Sequence, residues 1–188
     1  KNKGFQEKFK VISAGPRPKG EHWVGKNWPC SRACLNITSK WILFIDADVE
    51  LEKYALKRAL KQAILEKSDL LSLAPRITCT CLAEWMVQPI MASLLSLGFP
   101  IKETNDPSQP TAFAAGPFML FRRDAYDEIG GHQKVAGEVV EDLALARIIK
   151  KNGFKLIFLL GLDAIKLRMY SSLSDLWEGW SKNWFLGL

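Results

Sequence analysis

The sequence predicts an α/β chain arranged as a three-layer sandwich, with helices on both faces of a mostly parallel, mixed sheet. Three observations lead there. Short unbroken apolar runs, such as WILFI at 41–45 and FMLF at 118–121, alternate with longer stretches of helical character. Strands covered on both faces read as continuous apolar runs, whereas half-exposed strands alternate apolar with polar. The length, 188 residues with 48% hydrophobic content, allows one sizeable core and a single domain over 1–188.

The elements follow in order. KVIS at 10–13 reads as a short strand, and the stretch after it, with Gly15, Pro16, Pro18, Gly20 and Gly25, as a loop. A helix is expected over 29–38, then the apolar strand 41–45. Residues 50–68 carry a helical period, with Leu56, Leu60, Ala63 and Ile64 on one face. Glu50 and Glu52 near the start and Lys67 near the end suit the helix dipole. DLLSLAPRITC at 69–79 reads as a buried strand. Residues 82–100 form a long apolar segment broken by Pro89, for which the core is the first expectation and a membrane interface the second. A polar loop covers 102–110. FMLFR at 118–122 is a strand, 123–131 a short helix stopped by Gly130 and Gly131, 138–153 a helix with acids first and bases last, and 154–161 the last strand.

The formal net charge is +6, which points to an anionic partner without naming it: nucleotide, membrane surface and nucleic acid all qualify. Dispersed basic residues, with the tryptophans gathered near the C-terminus, argue against nucleic acid. Cys30, Cys34, Cys79 and Cys81 lack Cys-x2-Cys spacing and nearby histidines, so they read as plain reduced cysteines in a reducing setting, where the sequon at Asn36 carries no weight. The chain starts at Lys1 rather than Met and ends on apolar NWFLGL, which reads as a fragment. No run of 18 apolar residues occurs.

FIDADVE holds the main chemical signal. If strand 41–45 continues, Asp46 and Asp48 project together and Ala47 points back into the protein. Two adjacent carboxylates repel, and a hard cation such as Mg2+ or Mn2+, its shell completed by a diphosphate, relieves this. The competing reading makes Asp48 a helix N-cap with Glu50 and Glu52 in the first turn.

GKNW, FIDADVE, GPFMLFRRDAYDEIGGH and VVEDLALARIIKKNG occur together in the order and rough spacing of the family 2 glycosyltransferases. The chain resembles that family from Val11 onward. RMYSSLSDLWEGWSKN is most similar to a membrane-associated branch that glycosylates carotenoids, hopanoids and related lipids. The resemblance implies a GT-A (Rossmann-like) fold whose first strand lies upstream of this chain, leaving the sheet incomplete at the N-terminus. It implies an inverting transfer from a nucleotide-diphosphate sugar, UDP-linked, to a lipid-like acceptor, at the cytoplasmic face of a membrane to which the whole protein is anchored.

Residue by residue, the resemblance makes Asp48 the direct ligand of Mg2+ or Mn2+ and puts Asp46 at the ribose or donor sugar, with both counted in the metal site. Asp142 of the Glu141-Asp142 pair is the base, ionised at neutral pH because a helix N-terminus lowers its pKa. The other reading of Glu138, Glu141 and Asp142 is ordinary first-turn acids. Gly116 lets backbone approach the donor, Lys26 flanks the nucleotide or is a surface lysine, and Gly130-Gly131 opens a loop that closes over substrate or is a plain helix cap. His132 reads as structural, and Arg122 and Arg123 stay unassigned.

The Gln-x-x-Arg-Trp motif of processive relatives is absent; Trp177, Trp180, Lys182 and Asn183 occupy its region. Trp180 and Lys182 then lie on the acceptor and diphosphate side, or 170–188 is a juxtamembrane, interfacial segment. The departure argues against a polysaccharide-synthesising relative. The alternatives left open are a catalytically silent GT-A-like binding or scaffold domain at the membrane and a polysaccharide-synthesising family 2 transferase.

Overall fold

The computed structural model describes residues 10–35, 37–170 and 172–187, with side chains up to position 181. A four-stranded sheet, in the order β1 (Trp41–Ile45), β5 (Phe118–Arg122), β3 (Leu70–Ala74), β6 (Leu156–Leu160), forms the centre. β1, β3 and β6 run one way and β5 the other, so the sheet is mixed and mostly parallel in strand direction.

Its two faces bury alternate residues of the same strands. Ile42, Leu70, Met119, Phe121 and Leu156 pack with Ala125 and Tyr126 of α5 (Arg123–Glu128), Leu145 and Ile149 of α7 (Glu141–Lys151) and Cys34 of α1 (Asn27–Cys34). Leu71, Leu73, Phe118, Leu120 and Ile157 pack with Ala59 and Ala63 of α2 (Ala55–Leu65). The three-layer expectation is met.

A second sheet, β2 (Val49–Leu51), β7 (Ile165–Leu167) and β4 (Arg76–Ile77), is absent from the sequence reading. These strands have only two or three residues, too short to show a period. β2 converts the expected helix start into strand. Asp48 is no N-cap, α2 starts at Ala55, and Glu50 and Glu52 pair with Lys166 at 2.9 and 3.9 Å. The buried face of α2 consists of Ala55, Ala59 and Ala63, while Leu56 and Ile64 are exposed; small alanines allow the helix to lie close on the sheet. Pro75 separates β3 from β4, so 69–79 is two strands in two sheets, as a residue without N–H cannot continue a ladder.

Other boundaries shift too. Residues 10–13 are not strand, having no strand partner among the described residues, and Val11 is exposed. The polar loop begins with a short helix, α4 (Ile101–Asn105), and 123–134 holds two helices, α5 and α6 (Gly131–Lys134). α3 (Leu82–Gly98) runs through Pro89 unbroken. It is not core. It buries Glu84 and Gln88 and exposes Leu82, Trp85, Met86, Ile90, Leu94 and Leu97. Glu84 ties down its start, accepting from the backbone N–H groups of Thr80 and Cys81 at 2.7 and 3.0 Å. α8 (Leu173–Gly187) lies against α3. No helix among the described residues is long and apolar enough to cross a membrane.

Candidate active site

β1 ends at Ile45, and the chain turns at once, Val49 N–H donating to Asp46 O at 3.2 Å. Asp46 therefore opens the turn and Asp48 lies within it rather than both sharing a strand face, and Ala47 is exposed rather than buried. The turn lies at the carboxyl end of β1, where sheets of this kind bind ligands. Asp48 is exposed and has no hydrogen-bond or ion-pair partner among the described residues.

Lys26 is the hub. Its Nζ lies 2.7 Å from Asp46 Oδ1 and 2.9 Å from Glu141 Oε1, so the residue before α1 ties the tip of β1 to the first turn of α7. Burial alone would lower its pKa, but the charges of Glu141 and Asp46 outweigh that and hold it well above the ordinary lysine value. Lys26 is thus a partly exposed lysine engaged by two carboxylates.

Asp142 is half-buried beside Glu141. Its Oδ2 accepts the Gly116 N–H and its Oδ1 the Leu143 N–H, both at 2.8 Å. Burial first, and the Glu141 charge second, push its carboxyl up to about 6, against the pull of those two N–H groups and of Lys26. The expectation of a lowered value is corrected: desolvation exceeds the helix-terminus effect here. Glu141 and Asp142 do open the helix, Glu141 buried and ion-paired and Asp142 half-buried and hydrogen-bonded, not as solvated first-turn acids.

Gly116 has a steric reason. A Cβ there would stand 2.9 Å from Asp142 Oδ2 and 3.4 Å from Lys26 Nζ. Its backbone is fixed through Ala115, whose N–H donates to Ser72 Oγ at 2.8 Å while that hydroxyl donates to Ala115 O at 3.2 Å. Ser72 escaped the sequence reading, as did Asn27. The buried Asn27 amide donates to the carbonyls of Val135, Ala136 and Glu138 at 2.7, 3.1 and 2.9 Å. It pins the approach to α7 at 135–138 in this structure. An asparagine beside the hub lysine was the only available sign.

Lys26, Cys30, Phe44, Ile45, Asp46, Gly116, Met119, His132 and Glu141 enclose a cavity of ≈ 50 Å³. Cys30 is a free thiol, its pKa raised to about 11 by burial. His132 is buried, its pKa pushed down to about 4 by burial and then by the Lys26 charge.

Trp180 is not brought to this cavity. It is buried near Tyr170, ring centroids 6.4 Å apart, and lines an ≈ 860 Å³ groove between α3 and α8 with Val87, Met91, Leu176 and the exposed Trp177. Lys182 and Asn183 belong to α8, but their side chains lie outside the described residues, as does Asn36. Arg122 pairs with Asp69 and Asp124, and Arg123 with Asp127 and the Ile37 carbonyl, all structural partners.

Among the described residues no group of three or more His, Cys, Asp or Glu side chains is set to hold a metal ion. The donor set still suits one. Mg2+ takes one or two carboxylates and completes its shell with phosphate and water oxygens, and Asp48 offers a carboxylate without a protein partner next to Asp46.

Lysine-bridged acids at a strand end, with a backbone-held carboxylate alongside, fit a site for group transfer from an anionic donor. The sequence model described as glycosyltransferase like family 2 matches residues 17–174, and the chain belongs to that family. Its mixed α/β architecture is the GT-A fold. The 4,4'-diaponeurosporenoate glycosyltransferases of Staphylococcus aureus strains USA300 and NCTC 8325 are each 27% identical over 164 residues, covering 86% of this chain and 44% of theirs. The chain thus spans less than half the length of these relatives. Mannosyl-3-phosphoglycerate synthase from Rubrobacter xylanophilus aligns in structure with a TM-score of 0.40 at 15% identity, over 82% of this chain and 46% of its own.

Proposed function

We propose that this chain carries the site of an inverting hexosyltransferase that moves a sugar from a nucleotide diphosphate, UDP-linked, to a hydroxyl or carboxylate of a lipid-like acceptor. The observation that carries this is the Lys26 bridge between Asp46 and Glu141, with Asp142 held beside it on the Gly116 N–H. In the reaction the acceptor oxygen attacks the anomeric carbon; from a hydroxyl acceptor the proton passes to Asp142, whereas a carboxylate acceptor has none to give. The bond from that carbon to the diphosphate oxygen breaks, its electron pair leaving with UDP. Asp142 is ionised above about pH 6 and positioned by two backbone N–H groups, so it needs no further partner to serve as base.

Lys26 supplies positive charge next to where negative charge gathers on the leaving diphosphate. Mg2+ or Mn2+, held by Asp48 with Asp46, would neutralise that charge without moving a proton. Exposed apolar residues along α3 and the apolar groove beside α8 support a lipid-like acceptor and a membrane surface. The named substrate of the Staphylococcus relatives points the same way.

Calorimetry with UDP, with and without Mn2+, on the protein and on Asp48→Asn tests the donor site. Binding that requires Mn2+ and weakens at least roughly tenfold in Asp48→Asn is expected. Absence of UDP binding under both conditions would sink the transferase reading and leave the silent scaffold.

A further inference from the structure

The sequence reading set His132 aside as structural, and its surroundings say more. The turn at Gly130 and Gly131, with φ of 80° and 49°, swings the residue under the site. A side chain on Gly131 would strike the Tyr126 ring at 2.5 Å, so that glycine lets the turn close on Tyr126. Tyr126 then holds His132 twice, accepting its backbone N–H at 3.1 Å and meeting its Nδ1 at 2.8 Å. Phe44 packs against the imidazole with ring centroids 4.5 Å apart. The ring thus has one orientation, and it forms part of the wall shared by Lys26, Asp46, Gly116 and Glu141.

With the Tyr126 hydroxyl donating to Nδ1, the neutral imidazole carries its N–H on Nε2. Nε2 has no hydrogen-bond partner among the described residues. A neutral donor on this wall is suited to a neutral oxygen, since Lys26 already serves the anionic part of a ligand. The cavity of ≈ 50 Å³ is narrow and admits a hydroxyl-bearing arm.

We infer that His132 is a specificity-determining residue of this site, its Nε2–H donating to a hydroxyl oxygen of the sugar being transferred. The inference rests on the proposed function and adds a contact to the sugar itself. A buried donor that only the correct hydroxyl satisfies discriminates strongly, because a ligand lacking it leaves the N–H unpaired.

The test is calorimetry with four probes: UDP, UDP-glucose, UDP-galactose and UDP-N-acetylglucosamine, each with Mn2+. The readout is the ratio of affinities between the best sugar nucleotide and UDP. The unsubstituted protein should prefer one sugar nucleotide. His132→Phe should lose roughly tenfold of that preference while its UDP affinity is unchanged. His132→Gln, which keeps an N–H near the Nε2 position, should recover most of it. Thermal melting of both variants tells misfolding from loss of contact, and a Gln variant that melts like the parent carries the result if Phe does not fold. Equal affinity of the unsubstituted protein for UDP and every sugar nucleotide overturns the inference. So does a folded variant whose UDP and sugar-nucleotide affinities fall together or stay as they were. No UDP binding at all by the parent overturns the proposed function, and the His132 contact with it.

Discussion

Asp142 shows how local electrostatics and burial compete within one side chain. The helix terminus and two N–H donors favour the carboxylate; burial and Glu141 disfavour it and prevail, leaving the group near 6 against an ordinary value of 3.8. A general base works only when deprotonated. The transfer rate should therefore fall as pH drops through about 6 and level off above it, an acid limb visible in a pH–rate profile of kcat/KM. Asp142→Asn should lower kcat by about 100-fold or more while UDP binding is retained, as read by calorimetry beside kinetics. Gly116→Ala sets a Cβ against Asp142 Oδ2 at 2.9 Å. The atom displaced ends a side chain, so the fold should survive with a Tm shift of a few degrees while activity drops at least roughly tenfold.

At the scale of elements, the site is a junction. β1 brings Asp46, α7 brings Glu141 and Asp142, and the segment before β5 brings Gly116. Two small clamps hold the junction: Ser72 fixes Ala115, and Asn27 fixes the approach to α7. Asn27→Ala leaves three carbonyls without their amide and should cost about 1–3 kcal/mol in denaturant unfolding. Donor affinity should weaken as well, because Lys26 is its neighbour. The order of these elements was legible from apolar runs and helical periods. The small sheet was not, because β2, β4 and β7 owe their strand conformation to pairing with one another rather than to any pattern of their own.

At the scale of the whole molecule, charge and apolar surface are separated by function. The acids and Lys26 gather at the carboxyl end of β1, while Trp85, Met86, Ile90 and Leu97 stand exposed along α3 and Trp177 on α8. That apolar face belongs to the proposed membrane contact. Replacing Trp85 and Met86 together by Glu should abolish co-sedimentation with liposomes of anionic composition and leave UDP affinity unchanged. Loss of both would mean the two regions are one folding unit rather than two surfaces.

The sequence by itself determined the α/β class, the central strands and the candidates Asp46, Asp48, Gly116, Glu141 and Asp142, because these follow from local periodicity and an ordered set of motifs. Tertiary structure decided what each does to its neighbours. Asp46 opens a turn and Asp48 lies in it because β2 peels away to pair with β7. Lys26 becomes an ion bridge because Glu141, far along the chain, arrives within 2.9 Å. Trp180 lines the α3–α8 groove rather than the cavity beside Lys26. The Asp142 proton affinity and the orientation of His132 likewise depend on what is packed around them. Burial and long-range pairing are properties of the assembled chain, and no window of sequence contains them.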